Sequence, residues 1–493
     1  MIYNFNLGIG WASSGVEYAQ VYRARMFRNI GVDAKFVFTD MFPSENIEHM
    51  TKNIGFLDSE VIWLYTFFTD FKTAPVTYTL SDLEKTFTDL NYTKTREGKI
   101  CRYVFGGSNN FYTAYMVNDH DDFVHRVELV SNGFLIRKDY FTYGRVYSEY
   151  YAPLDNKAHL YHRRFFNENG SVAYEEINDD DRVMYKFKDK ILCSKEEFVG
   201  YMVSQLNLTS DDIVIIDRAT DIGQSILMNC KPARVGIIVH ADHFSEKDTN
   251  EDYILWNNYY EYDFNMHKYI DFYVCATQAQ SYLLKAHFEK YYGVTPCVYT
   301  IPVGSLPELK YPKDGRKPFS LITASRLASE KHIDWICKAV IQAKSEYSEL
   351  SLDIYGVGAE RTKLEMIIRE NNAQDYIHLM GQHDLSEVYQ NYEAYIAGST
   401  SEGFGLTLME AVGGGLPIIG FDVRYGNPTF IRDGENGYLL ELPEEDKDRV
   451  EALRKGIVDL FKQDLEKCHS VSYLVAQDFL TSNVQEKWRE AVC

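Results

Sequence analysis

The hydrophobic positions of the chain change their period along its length. Residues 2–7 read as a strand, GIGWASSG as a glycine loop, and VEYAQVYRARMFRNIG carries helical spacing. Val16, Ala19, Tyr22, Met26 and Phe27 fall on one face of that helix, and Gly31 ends it. AKFVFTD then forms a second strand, completing a βαβ unit at the start of the chain.

From about residue 45 to 205 the βα alternation gives way to short aromatic strands. ICRYVF, FYTAYMV, FVHRVELV, GFLIRKDYF and AHLYHRRFF are separated by turn material such as NDHDD, SNG and NENGS. Such spacing predicts an antiparallel meander inserted into the first α/β half. Its exposed aromatic face suits a partner surface and suits equally the cover of a small core. The α/β rhythm returns with DDIVIIDRATDIGQSIL, RVGIIVHADH and FYVCATQAQSYLLKAHF, and a second regular series begins near Lys317. The predicted fold class is therefore α/β, with two Rossmann-like halves and an antiparallel insertion. The expected division is 1–44 and 206–316 for the N-terminal half, 45–205 for the insertion, 317–475 for the C-terminal half and 476–493 for a helix returning to the N-terminal half. In two such halves the site falls at the carboxyl ends of the strands.

Composition narrows the chemistry. Asp and Glu outnumber Lys and Arg by 72 to 51 over 493 residues, a net charge of -21. That field repels nucleic acid and anionic lipid, so phosphate must be bound by a local arrangement. The eight cysteines form no C-x-x-C pair, which points to reduced structural thiols in a cytoplasmic protein. MIYNFNLGIG lacks the features of a signal peptide, and no stretch has the length of a membrane span.

The most informative segment is STSEGFGLTLMEAVGGGLP, where a strand ends near Ser399 and a helix begins around Leu406. Backbone N–H groups at a helix start attract phosphate and sugar oxygens. Glu402 in the loop and Glu410 in the helix lie on the order of 10 Å apart by helical rise, which suits one gripping a sugar and the other a ribose. Arg326 and Lys331, in SRLASEKHID, leave the first strand of the second half and could neutralise a diphosphate. The R-x4-K spacing alone is common on solvated faces. Gly8, Gly10 and Gly15 do not match the dinucleotide fingerprint. His240 ends a buried strand, where a lone histidine is more often structural, and His243, His332 and His383 have weaker claims. The acid runs Asp119–Asp122 and Asp179–Asp181 read as solvated turns in place of metal ligands.

These segments, with IVHADHFSE and TNEDYILWNNYYEY, resemble the GtfA-type glycosyltransferases, retaining enzymes of glycosyltransferase family 4 with the GT-B fold. The resemblance spans nearly the whole chain. It implies transfer of N-acetylglucosamine from UDP-N-acetylglucosamine to Ser or Thr hydroxyls of a serine-rich repeat bacterial adhesin. It also implies no metal or other cofactor, and a GtfB-like partner engaged through the inserted β-domain. By match to the family's motifs, Gly15, Val16, Glu17 and Tyr18 sit in the N-terminal nucleotide loop, and His240 contacts the donor sugar. Gln382 and His383 face the uracil and ribose, Glu402, Gly403, Phe404 and Gly405 line the sugar, Leu406 belongs to the donor-binding set, and Glu410 holds the ribose. Arg326, Lys331, His240 and Glu402 form the implied catalytic set. Alternative readings are a non-catalytic subunit that binds the adhesin, use of UDP-glucose, and a lipid or cell-wall acceptor. Localisation is expected to be cytoplasmic, at most peripheral at the inner face of the membrane.

Overall fold

The computed structural model describes residues 1–9, 15–43, 45–87, 91–106, 109–179 and 182–493. Gly10 of the glycine loop, and Asp180 and Asp181, lie outside the described residues. Two compact units emerge: Met1–Ala24, Val32–Ile237 and Asn258–Asp271 form unit 1, and Arg25–Gly31, Ile238–Asn257 and Phe272–Cys493 form unit 2.

Unit 1 holds parallel strands in the order Arg234–Val239, Ile213–Ile216, Ile2–Asn6, Ala34–Phe38, Val61–Trp63. Chain order reverses between Ile2–Asn6 and Ile213–Ile216, which makes that gap the switch point of the sheet. The helix Gly15–Ile30 buries Ala19, Met26 and Phe27 as its pattern predicts. It also buries Glu17, Gln20 and Arg23, which the hydrophobic pattern leaves out. These polar groups satisfy one another. Asn6 Nδ2 donates to Gln20 Oε1 at 3.1 Å, Gln20 Nε2 donates to Asp217 Oδ2 at 2.8 Å, and Arg23 pairs with the same carboxylate. A buried polar group without such a partner costs about 1–3 kcal/mol, so the cluster stands or falls as a unit.

The strand Val61–Trp63 pairs parallel with Ala34–Phe38, so the α/β pattern continues past residue 45, where the sequence pattern changes. A three-residue strand flanked by aromatics carries too little periodicity to be told from the meander that follows. The antiparallel sheet itself has ten strands in strict sequence order, from Tyr92–Glu97 to Ile191–Leu192. One face carries a ladder of rings: Tyr140 on Tyr147 at 4.3 Å, Tyr147 on Phe165 at 5.4 Å, and Phe165 on Tyr174 at 4.5 Å. Phe198 of the helix Lys195–Gln205 covers the end of that ladder and is fully buried. Such contacts add to area burial, which is how aromatic strands here sustain a core. Elsewhere the sheet leaves Ile100, Phe134, Leu154, Tyr161 and Ile191 exposed. The Asp119–Asp122 turn is tied down by Arg96, whose Nη1 meets Asp122 Oδ1 at 2.5 Å while Nη2 donates to the carbonyls of Asp119 and Asp121.

Unit 2 holds a six-stranded parallel sheet in the order Ile377–Gly381, Ser351–Tyr355, Ser320–Ala324, Ala394–Ile396, Ile418–Phe421, Gly437–Leu440. Helices Ile333–Ala343 and Asp446–Leu460 contribute to one core, and Leu406–Gly413 and Leu465–Ala476 to another. The last helix, Thr481–Val492, sets Trp488 edge-on against Phe27 at 5.3 Å. All eight cysteines are free, five of them buried. Among the described residues no helix is long and apolar enough to cross a membrane.

One buried group has a consequence for pH. Asp263 is 1% exposed, its Oδ1 makes no hydrogen bond, and burial pushes its pKa up to about 7. The unfolded carboxyl ionises near 3.8, so native stability falls as pH rises from there to about 7 and is then flat. Asp263→Asn removes that loss. Urea denaturation is expected to show the variant gaining on the natural protein between pH 4 and pH 8, by on the order of 4 kcal/mol at most.

Candidate active site

Chain order in the second sheet reverses between Ser320–Ala324 and Ala394–Ile396, which lie side by side. The loops leaving both strands at their carboxyl ends therefore diverge over one gap, the place where open α/β sheets bind ligands. The loop after Ser320–Ala324 carries Arg326 and, in a single 3-10 turn, Lys331. Its neighbour carries Glu402. The structure brings the two loops together through Lys331 Nζ and Glu402 Oε2, 2.6 Å apart and each about one-fifth exposed. Gly398 permits the approach, because a Cβ there would stand 3.0 Å from the Lys331 carbonyl oxygen and 2.8 Å from that of His332.

Glu402 is also fixed through its backbone. Its N–H donates to the Arg424 carbonyl at 3.1 Å, and its own carbonyl accepts from Tyr425 at 2.5 Å and Gly426 at 2.7 Å. The helix Leu406–Gly413 then begins at Gly405, whose φ is +86° and which offers no side-chain cap. A glycine suits this position for conformation and for space, since a Cβ would lie 2.6 Å from Leu408 Cδ1. Phe404 is buried against Phe430 and Phe479 and anchors the loop. Glu410, one turn into the helix, accepts from the Tyr389 hydroxyl at 3.0 Å, and burial raises its pKa. A half-buried carboxylate with its second oxygen open to further donors suits a pair of sugar hydroxyls.

His240 joins this group through the main chain. The Gly403 backbone rests on the His240 carbonyl, so closely that a Cβ would stand 3.3 Å from that oxygen. Arg326 is placed differently: its side chain is 81% exposed and pairs with Glu330, four residues on, at 3.3 Å. Gln382 and His383 are exposed beyond the strand Ile377–Gly381, with His383 Nε2 donating to the Met380 carbonyl at 2.9 Å. His332 is stacked on Trp335 with centroids 3.5 Å apart, a structural role. In unit 1, Gly15 and Tyr18 are exposed and Val16 is half-buried at the start of the first helix. Glu17 is buried and pairs with Arg218 at 3.6 Å, so its carboxylate is already engaged at the switch point of that sheet.

Sequence reasoning passes over four tyrosines here: Tyr389 bonded to Glu410, Tyr425 beside Glu402, Tyr395 in the strand Ala394–Ile396, and Tyr392 just before that strand. The Tyr395 hydroxyl donates to the Ala324 carbonyl at 2.9 Å and contacts Thr407 Oγ1 at 3.1 Å, tying the strand that leads to Arg326 to the helix after Glu402. In a chain with 38 tyrosines, nothing local marks these few.

Two family models match the chain, the GtfA extended beta-sheet domain over residues 93–189 and Glycosyl transferases group 1 over 310–473. The chain is 52% identical to the UDP-N-acetylglucosamine--peptide N-acetylglucosaminyltransferase GtfA subunit of Streptococcus gordonii, over 99% of this chain and 97% of that protein. The chain belongs to the GtfA family of glycosyltransferases. Among solved structures it is similar to the pneumococcal O-GlcNAc transferase GtfA in complex with UDP and GlcNAc, at 50% identity and a TM-score of 0.90, covering 100% of this chain and 98% of that one. It is likewise similar to a chain of a GtfA/B complex, at 52% identity and a TM-score of 0.96, covering 100% and 99%. The family has the GT-B architecture of two Rossmann-like halves with a β-rich insertion, as the sheets described above require.

Gly405→Ala tests how far the loop depends on its backbone. Forcing a Cβ into the left-handed conformation and against Leu408 is expected to lower stability by about 1–3 kcal/mol. Thermal denaturation reads that loss, and calorimetry with UDP reads the accompanying loss of affinity.

Proposed function

We propose that this chain transfers N-acetylglucosamine from UDP-N-acetylglucosamine to Ser or Thr hydroxyls of a serine-rich repeat bacterial adhesin, working with a GtfB-like partner. The observation that carries the reading is the Lys331–Glu402 pair at the switch point of the second sheet. A nucleotide-sugar has what this gap recognises: phosphate for the ammonium, sugar hydroxyls for the carboxylate, and a ribose for Glu410.

An ammonium has three N–H donors, so Lys331 can keep Glu402 and donate to a phosphate oxygen as well. Arg326 gives up little to do the same. Its contact with Glu330 is an exposed i, i+4 pair, a class worth at most about 1 kcal/mol. Both cations then stabilise the charge that grows on the diphosphate as the bond to the anomeric carbon breaks. In the proposed front-face route the acceptor oxygen attacks from the side the diphosphate leaves. The acceptor proton passes to the departing phosphate oxygen, and configuration is retained. The positive charge that faces the leaving diphosphate is supplied by side chains, so the proposed reaction proceeds without a metal. Gln382 and His383 are proposed to border the base, and Gly403 and Leu406 the sugar. The Gly15–Tyr18 segment is proposed to meet the nucleotide through backbone, since the Glu17 carboxylate is occupied. Free cysteines suit a reducing cytoplasm.

Arg326→Ala is expected to lower turnover of UDP-N-acetylglucosamine about a hundredfold, roughly 3 kcal/mol of barrier. UDP release with an unmodified serine-rich acceptor measures it, and a near-normal rate rejects the role given to this arginine. Thermal-shift comparison of UDP-N-acetylglucosamine with UDP-glucose settles the donor. The bound sugar should stabilise by about 2.7 kcal/mol at a hundredfold excess over its Kd.

A further inference from the structure

We propose that Tyr425 and His243 are positioning residues, whose contact holds the loop bearing His240 in register with the loop bearing Glu402. The inference rests on the reading of His240 and Glu402 as donor-site groups.

His243 is fully buried although it is three residues from His240. Its Nδ1 lies 3.4 Å from the Tyr425 hydroxyl and its Nε2 lies 3.1 Å from His287 Nδ1, so both ring nitrogens are spoken for. The imidazole is therefore held in plane between a fixed phenol and a second imidazole. Tyr425 is itself 1% exposed, and its main chain runs beside Glu402 in a parallel bridge. Its backbone N–H thus grips the Glu402 carbonyl while its side chain reaches His243. This contact is a buried side-chain link between the two loops. Around it, every carbonyl from 241 to 243 is held: Ala241 by Gln280 Nε2 at 2.8 Å, Asp242 by Asn257 Nδ2 at 2.9 Å, and His243 by the Asn257 N–H at 2.9 Å. Arg424 adds an ion pair to Glu246 at 3.0 Å and lies over the Phe244 ring at 4.9 Å.

Chemistry agrees with the geometry. Burial pushes the His243 pKa down to about 3, with His287 and Arg424 adding repulsion, and that of His287 falls to about 4, with Lys290 and Arg424 adding repulsion. Both rings are neutral at physiological pH, so the contact between them is one ring N–H donated to one bare ring nitrogen. The Tyr425 phenol is raised well above its ordinary value by burial and the adjoining Asp242 carboxylate, so it stays protonated and able to donate. An imidazole closed off from solvent, with both ring nitrogens engaged by side chains of the fold, contributes through placement. A displacement near 1 Å at reacting groups can cost on the order of a hundredfold in rate, so a linkage of this kind has leverage.

Asparagine places its amide near the position of imidazole Nδ1, and glutamine near that of Nε2. His243→Asn therefore keeps a partner for Tyr425, and His243→Gln keeps one for His287. With partner subunit and acceptor present, His243→Asn is expected to retain most of the natural kcat. His243→Gln and Tyr425→Phe are expected to lose about tenfold in kcat, with KM for UDP-N-acetylglucosamine changed less than about twofold and UDP affinity unchanged. The reverse order of Asn and Gln, or losses that simply follow thermal stability across the three variants, overturns the inference. Tyr425→Phe alters one oxygen atom and keeps the ring packing, so a folded comparison is available even where a His243 variant is unstable. Should the natural protein itself fail to turn over the donor, the functional reading has failed; normal turnover by Tyr425→Phe sinks only the positioning role.

Discussion

An ammonium and a carboxylate, 2.6 Å apart at the point where the second sheet reverses its strand order, set the terms for the rest of unit 2. Each is partly withdrawn from water, and removing one partner of such a pair leaves the other with an uncompensated desolvation cost. Gly398 admits the Lys331 turn, the Tyr425 and Gly426 amides hold the Glu402 carbonyl, and Gly405 turns the chain into the following helix. The contacts around the pair thus answer one requirement, that two loops of opposite charge end at the same gap.

The architecture of both α/β halves was legible because their strands are short apolar runs joined by amphipathic helices with clear ends. Glu402 stands in the glycine-rich loop before the helix Leu406–Gly413, Glu410 inside that helix, and Arg326 and Lys331 in a loop without glycine; the meeting of Lys331 with Glu402 belongs to the sheet order and not to any local pattern. What could not be read was the polar interior. Glu17, Gln20 and Arg23 look like the solvent face of their helix, yet they are buried because Asn6 and Asp217, far apart in sequence, complete their hydrogen bonds. His243 and Tyr425 were hidden in the same way, since their meaning lies in a contact spanning more than 180 positions. The short strand Val61–Trp63 was missed because three residues carry no period.

The two units manage buried charge in different ways. In the antiparallel sheet Arg163 meets both Glu149, at 2.9 Å, and Glu176, while the hydroxyls of Tyr140 and Tyr151 donate to Glu149 at 2.8 and 2.6 Å. Both oxygens of Glu149 are matched there within the sheet. Around Glu402 and Glu410 the matching is partial: each carboxylate has one strong side-chain partner and further acceptor capacity. That contrast separates a network that makes a sheet rigid from one that is ready to receive a ligand.

Among the described residues the ten-stranded meander ends in two margins with no further strand, and any long sheet with open margins is a template on which further strands can add. One margin is the two-residue strand Ile191–Leu192, too short to nucleate a ladder. The other, Tyr92–Glu97, is exposed throughout but sets Lys94 and Arg96 along its length, each drawn into an ion pair. Copies of a chain carrying a net charge of -21 also repel one another. Edges so short or so charged are poor templates for a further strand, and the rings that hold the core are kept away from them.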